Sequence, residues 1–298
     1  MTVASIDIGT NTFDLLILSQ DQGFKVVYSE KRWIGLGYGL YENNLLSQES
    51  LSNANHCLRG FYSQCQDYNV EKIRIVATSA LRDATNGEEW IQEIFNELGW
   101  NIEIISGKEE ATMVLKGHQR IFSITKSALI MDVGGGSTEF TFFNHSSIPY
   151  SYSCDIGVSR MLQLWPLNNP LTEKDIKTLM NFLNENVTHS SNQSHVLIGA
   201  SGVFESLFQL TTHQNLEPFH LNPVPLKDFT VILETLIKSE ASERQVLPIL
   251  PVERKSYIHL AALQILFIIQ KYRVDQIFVT NCGLSESLAL ELMEEQST

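Results

Sequence analysis

The sequence predicts an α/β fold made of two similar domains, each a mixed β-sheet with helices packed against it. Its 298 residues are enough for two domains with separate hydrophobic cores. A pattern of three short strands followed by a helix occurs at the start of the chain and again from about residue 128. In both places the first strand leads into Asp, then Gly, then small hydroxyl residues, at positions 7–12 and 132–138. These observations together indicate a duplicated β-β-β-α-β-α unit.

Each element of the first copy follows from its hydrophobic pattern. Alternating apolar residues and amphipathic stretches predict, in order, strands at Val3–Gly9, Phe13–Ser19 and Phe24–Glu30, a helix at Ser47–Tyr68, a strand at Lys72–Thr78, a helix at Gly87–Leu98, a strand at Ile102–Ser106 and a helix at Lys108–Ile121. The alternation of strands and helices in the second half of this series indicates a mixed sheet covered by helices.

The second copy repeats the same signals before becoming mostly helical. It predicts strands at Ala128–Val133, Thr138–Phe143 and Ile148–Cys154, a helix at Val158–Trp165, and later strands at His195–Gly199 and Gln276–Thr280. We therefore expect an N-terminal domain over 1–122 and a second over 123–283, with a hinge near Ile121–Ser127. The C-terminal helix, 284–298, is an additional candidate for the first domain.

Composition excludes several functional classes. The net charge of −13 is spread evenly over both halves of the chain, so no basic face exists to coat nucleic acid or an anionic membrane. The four cysteines show no metal-binding or disulfide spacing, which is typical of core thiols in a reducing compartment. The N-terminus lacks a signal-peptide pattern, and the apolar stretch Ile258–Ile269 is too short to span a bilayer. We expect a cytoplasmic protein.

A glycine run after a predicted buried strand carries the strongest chemical signal. Val133–Ser137 would let backbone N–H groups approach an anion closely, since glycine has no Cβ. Asp132, at the strand end, is placed to hold a divalent cation, as phosphate chemistry usually requires. The alternative is a glycine-rich hairpin whose Asp only caps a turn. A Rossmann site is excluded because the turn leads into a strand, and no Walker A sequence is present.

The first copy has the same residue types at its own first turn: an Asp, a Gly and then small polar residues. They are Asp7, Gly9, Thr10, Asn11 and Thr12. We expect the two hairpins to face each other across a cleft between the domains. Two phosphate hairpins in that arrangement would be a more specific signal than either alone.

Four ordered motifs resemble the exopolyphosphatase and guanosine pentaphosphate phosphohydrolase family, which belongs to the actin, hexokinase and Hsp70 fold superfamily. They are DIGTNT (7–12), ATSALRDATN (77–86), ISGKEEA (105–111) and DVGGGSTE (132–139). The resemblance implies a two-domain, actin-like (ribonuclease H-like) fold with an interdomain cleft. It also implies that the chain forms a homodimer.

The resemblance also implies roles for single residues. Glu110 would be the base that activates water, with its neighbour Glu109 as the second candidate; either could simply stabilise the start of a helix. Arg82 would contact phosphate through its planar, bidentate donors, and its alternative is a surface ion pair with Asp83. The remaining expected substrate-binding residues are Gly9, Thr10, Asn11, Thr12, Ser79, Gly134, Gly135, Gly136, Ser137 and Glu139. The expected metal ligands are Asp132 and Asp7, for Mg²⁺ or for Mn²⁺ in its place.

These residues predict in-line attack of water on a terminal phosphorus, with release of orthophosphate. Asp14, Gly35 and Ser285 occupy positions that often carry positive charge in the family. The absence of positive charge at these positions favours short polyphosphate or guanosine pentaphosphate over long polyphosphate as the substrate. Two other functions stay open: an ATP-using kinase or ATPase of the same fold, and a non-catalytic sensor that binds an alarmone or polyphosphate without turnover.

Overall fold

The computed structural model describes residues 1–20, 23–123, 127–143, 148–187 and 195–294. The chain divides into two compact units, Met1–His118 with Gly283–Thr298, and Gln119–Cys282. Part of the expected hinge, residues 124–126, and the end of the expected C-terminal helix, residues 295–298, lie outside the described residues.

The first unit is a five-stranded sheet with helices. Its elements are β1 (Thr2–Ile8), β2 (Thr12–Gln20), β3 (Phe24–Trp33), α1 (Leu40–Asn43), α2 (Gln48–Asp67), β4 (Lys72–Ala77), α3 (Ser79–Asp83), α4 (Gly87–Leu98), β5 (Ile102–Ile104) and α5 (Gly107–Ile121). The strand order is β3-β2-β1-β4-β5. Strands β1 to β3 are antiparallel neighbours, whereas β4 and β5 run parallel to β1.

The second unit repeats this order. Its elements are β6 (Ala128–Val133), β7 (Thr138–Phe143), β8 (Tyr150–Cys154), α6 (Val158–Leu164), α7 (Glu173–Asn186), β9 (Val196–Gly199), α8 (Gly202–Thr212), β10 (Asn222–Val224), α9 (Leu226–Lys238), α10 (Ala241–Gln245), a 3-10 helix (Val252–Ser256), α11 (Ile258–Tyr272) and β11 (Gln276–Val279). The strand order in this sheet is β8-β7-β6-β9-β11, and β10 is an additional strand at the edge next to β11. The predicted α/β class with duplicated sheets is therefore confirmed.

Each unit has its own hydrophobic core. In the first, Phe13 and Leu15 on β2 pack with Phe61 of α2. In the second, α11 is buried along almost its whole length and lies in one cluster with the inner strands. The four cysteines are buried thiols, as predicted.

The last helix, α12 (Leu284–Glu294), packs on β1, β2 and β4 of the first unit. Ser5 Oγ donates to the Ser285 carbonyl at 2.8 Å, and Arg74 pairs with Glu291 at 2.7 Å. Among the described residues, no helix has both the length and the apolar character needed to cross a bilayer.

Candidate active site

The carboxyl ends of three parallel strands form one edge of the first sheet. Strand β1 pairs in parallel with β4, and β4 with β5. The ladder continues past the strands, because Thr78 N donates to the Ile8 carbonyl at 3.2 Å and Ile105 N to the Ala77 carbonyl at 3.0 Å. The loops that follow all three strands are thus gathered at the edge where open α/β sheets usually bind ligands.

Arg82 and Glu110 meet at this edge. Arg82 Nη1 donates to Glu110 Oε2 at 2.8 Å and to the Ile105 carbonyl at 3.0 Å. The Arg82 side chain is 20% exposed and that of Glu110 12%, so the pair is largely shielded from water. Arg82 lies on the short helix α3. Its acidic neighbour Asp83 accepts a hydrogen bond from Ser79 Oγ.

The adjacent glutamates of α5 have different surroundings. Glu109 Oε2 accepts hydrogen bonds from Ser106 Oγ at 2.7 Å and from Ser106 N at 2.8 Å. Both hydrogen bonds lower the pKa of the exposed Glu109 carboxyl, and the bond from the Ser106 hydroxyl has the larger effect. Glu109 therefore closes the first turn of the helix, while Glu110 faces Arg82.

The predicted phosphate turn of the first unit joins β1 to β2. Gly9 N donates to the Thr12 carbonyl at 3.0 Å. The Thr10 carbonyl accepts from Gly37 N at 2.9 Å, and the Asn11 carbonyl accepts from two further backbone N–H groups. The loop after β3 thus holds this turn through its main chain. Asp7 lies on β1 directly opposite Asp14 on β2.

The glycine turn of the second unit has the same construction. Gly134 N donates to the Ser137 carbonyl at 3.0 Å, and Asp132 on β6 lies opposite Glu139 on β7. The duplication therefore extends to single hydrogen bonds: Gly134 repeats Gly9, and Asp132 repeats Asp7. Both turns have four residues between the paired strand positions.

Helix α6 fixes the glycine turn from one side. Val158 N donates to the Gly134 carbonyl at 3.1 Å, and Ser159 N to the Gly135 carbonyl at 2.8 Å. Arg160 Nε donates to the third carbonyl of the turn, that of Gly136, at 2.7 Å. With its carbonyl groups directed at α6, the turn is held in one conformation.

Asp132 and Glu139 supply oxygen donors on neighbouring strands. Cross-strand partners project from the same face of a sheet. Glu139 is 3% exposed and accepts a hydrogen bond from Ser153 Oγ at 2.7 Å, which fixes its carboxyl group. Hard oxygen ligands of this kind suit Mg²⁺ with water or phosphate oxygens completing its shell. Within the described part of the chain, no group of three His, Cys, Asp or Glu side chains forms a complete metal site.

A family model, the Ppx/GppA phosphatase family, matches residues 16–296. The chain belongs to this family. A relative from Vibrio vulnificus, guanosine-5′-triphosphate,3′-diphosphate pyrophosphatase, is 29% identical over 304 aligned residues that cover 98% of this chain. The chain spans 59% of that relative's length.

Two solved structures of Ppx/GppA proteins share the fold. An exopolyphosphatase from Cytophaga hutchinsonii superposes with a TM-score of 0.92 at 26% identity and covers 99% of this chain and 98% of its own. The family member from Aquifex aeolicus gives a TM-score of 0.85 at 23% identity, over 100% and 99% of the two chains. The similarity to the Aquifex aeolicus protein shows a shared fold only.

Asp14 and Ser285, two of the positions expected to differ in charge from the family, lie where α12 packs on the first sheet. Asp14 Oδ2 pairs with Lys31 Nζ at 3.0 Å. Burial raises the pKa of Glu286 to about 7, and the positive charge of Lys31 opposes this shift. Ser285 uses its carbonyl to bind Ser5. Lys31 therefore lies between two acidic residues, Asp14 and Glu286.

Several supporting residues of this Ppx/GppA site had only a weak signal in the sequence. Gly157 and Arg160 lie in the segment DIGVSRM (155–161), whose resemblance to the family is faint. Ser153 gave no signal, because its role depends on being opposite Glu139 in the β7–β8 ladder. Asn86, the last residue of the motif at 77–86, binds both backbone groups of Leu46 through its side-chain amide.

Proposed function

We propose that this chain is a phosphoanhydride hydrolase that releases orthophosphate from the end of short inorganic polyphosphate or of guanosine pentaphosphate. The observation that carries the proposal is the shielded Arg82–Glu110 pair at the carboxyl edge of β1, β4 and β5, in a chain of a phosphatase family. The Vibrio relative, a guanosine-5′-triphosphate,3′-diphosphate pyrophosphatase, and the Cytophaga exopolyphosphatase suggest the two substrate classes.

Glu110 is proposed as the base. The Arg82 guanidinium favours the ionised carboxylate, which is the form that accepts a proton from the attacking water. Transfer of that proton to Glu110 develops nucleophilic character on the water oxygen as it approaches the terminal phosphorus in line with the leaving phosphate.

Arg82 is proposed to stabilise the charge that builds up on the phosphoryl oxygens. The guanidinium is held by the Ile105 carbonyl as well as by Glu110, so its position is set before substrate binds. A preorganised donor of this kind stabilises the transition state more than a mobile one, since little reorganisation accompanies the reaction.

The two hairpin turns are proposed to bind phosphate through their backbone N–H groups, with the hydroxyl groups of Thr10, Thr12 and Ser137 as further donors. Asp132, with Glu139 beside it, is proposed to hold Mg²⁺, and Asp7 is the corresponding candidate ligand in the first unit. When bound, the ion neutralises negative charge on phosphate oxygens.

The test measures orthophosphate release with Mg²⁺ from tripolyphosphate, long polyphosphate, guanosine pentaphosphate and ATP in parallel, for the wild type and Glu110→Gln. The proposal predicts turnover of tripolyphosphate or guanosine pentaphosphate that collapses in the variant. Turnover of ATP alone would favour an ATPase or kinase, and tight binding without any turnover would favour a sensor.

A further inference from the structure

Two exposed aromatic side chains flank the phosphate turn of the first unit. Trp33, the last residue of β3, is 41% exposed, and Tyr38, five residues further, is 79% exposed. Such large apolar surfaces are usually buried. We call residues 33–38 the aromatic loop.

Main-chain hydrogen bonds attach the aromatic loop to the phosphate turn. Ile34 N and Gly35 N donate to the Asn11 carbonyl at 2.8 and 2.9 Å, in addition to the bond from Gly37 to Thr10 described above. Gly37 approaches so closely that a Cβ there would lie 2.4 Å from Thr10 Cγ2. The loop and the turn therefore form one rigid piece.

The indole of Trp33 lies next to this piece. Trp33 lies opposite Thr12 in the β2–β3 ladder, so both side chains project from one face of the sheet. A Cβ on Gly35 would lie 3.6 Å from the indole nitrogen, so the ring lies beside Gly35 of the loop. The Gly35 carbonyl is held in turn by Ser50 Oγ at 3.1 Å.

The spacing between β3, which ends in Trp33, and β4, which Arg82 follows, suits a nucleotide. Strand β3 lies three strand spacings from β4, which is about 14 Å, and Thr78 and Arg82 follow β4. A substrate whose terminal phosphate reaches Arg82 and whose middle phosphates lie on the turn would extend its other end toward Trp33.

We propose that Trp33, assisted by Tyr38, stacks on the base of a nucleoside polyphosphate whose phosphates lie on the turn, and so selects guanosine pentaphosphate over inorganic polyphosphate. This inference rests on the proposed phosphohydrolase function. An inorganic chain has no π face and gains nothing from an aromatic ring, whereas a base stacks on it. Because stacking accepts any base, Trp33 selects for a nucleoside and not for guanine in particular.

The experiment compares kcat/KM for guanosine pentaphosphate with kcat/KM for tripolyphosphate. The ratio of the two is the measure of selection. In Trp33→Ala we expect it to fall by about 5- to 150-fold, the range for loss of one stacked base, and in Trp33→Phe to recover most of the wild-type value. Phe24→Ala is the matched control, since Phe24 is an equally exposed aromatic (41%) at the other end of β3, and it should leave the ratio unchanged.

An unchanged ratio in Trp33→Ala would overturn the inference while leaving the hydrolase proposal standing. A changed oligomeric state with an unchanged ratio would do the same, and would make the aromatic loop a contact between copies of the chain.

If the wild type hydrolyses neither substrate, the proposed function fails, and binding tests the aromatic loop by itself. Tryptophan emission is then titrated with guanosine pentaphosphate and with tripolyphosphate in the wild type and in Trp33→Phe. Quenching by the nucleotide that disappears in Trp33→Phe supports stacking. Equal quenching in both proteins contradicts it.

Discussion

Replacing Gly157 with Ala perturbs the glycine turn without removing any group that would touch substrate. Gly157 precedes α6, and a Cβ there would lie 2.3 Å from Gly136 C and 2.4 Å from Gly135 O. Both atoms belong to backbone, so no side chain can rotate away. Restoring an ordinary contact of 3.4 Å requires the turn and the helix to separate by about 1 Å.

That separation would stretch the hydrogen bonds that fix the turn. The bond from Val158 N to the Gly134 carbonyl is 3.1 Å, so 1 Å more would break it. Displacement of a binding group by about 1 Å costs about 100-fold in rate, and overpacking costs about 1–3 kcal/mol of stability. We expect kcat/KM for orthophosphate release to fall about 100-fold in Gly157→Ala, with a smaller free energy of unfolding in urea.

Gly60→Ala is the matched control. A Cβ at Gly60, in α2, would meet only the flexible end of Arg32, at 2.8 Å, and the helix should gain slightly in stability. The reasoning is refuted if Gly157→Ala is folded and keeps kcat/KM within about threefold of Gly60→Ala, since a threefold change is far below the cost of such a displacement.

Two further predictions concern charge. Arg82→Lys keeps the charge but loses the planar guanidinium, whose Nη1 donates to both Glu110 and the Ile105 carbonyl, so kcat should fall about 100-fold. A kcat near the wild-type value would remove Arg82 from the mechanism. Burial, and to a lesser extent the nearby Arg244, lowers the pKa of His259 to about 3. As the pH falls below about 6.5, the imidazole is therefore protonated in the unfolded chain but not in the folded one. The free energy of unfolding should therefore drop by about 2 kcal/mol between pH 7 and pH 5 from this group, and His259→Gln should lack that part of the drop in urea titrations at the two pH values.

The hairpin strands were predictable because their signals are local. The predicted strands Ala128–Val133 and Thr138–Phe143 have the observed bounds of β6 and β7, as does the helix Gly87–Leu98. Two short runs of β-forming residues on either side of a glycine turn define a hairpin without reference to the rest of the chain. Short elements were not found: β10 contains Pro223 and exists through its pairing with β11.

The contacts of the candidate site depend on tertiary structure. Arg82 and Glu110 lie 28 residues apart and meet only because β4 and β5 pair in parallel. The choice between Glu109 and Glu110 was open in the sequence, since two adjacent carboxylates have the same chemistry. On a helix they point about 100° apart, and the direction of each was fixed by Ser106 for one and by Arg82 for the other.

The central claim is that Glu110, and not its neighbour, activates the water. The most direct measurement is kcat for orthophosphate release by Glu110→Gln and by Glu109→Gln, with the same substrate and Mg²⁺ concentration and with folding checked by circular dichroism. The account predicts a loss of about 10²- to 10⁴-fold for Glu110→Gln, the contribution of a general base, and a value within about threefold of wild type for Glu109→Gln, which loses only a helix-end contact. Equal losses in the two variants, or a larger loss in Glu109→Gln, would contradict it.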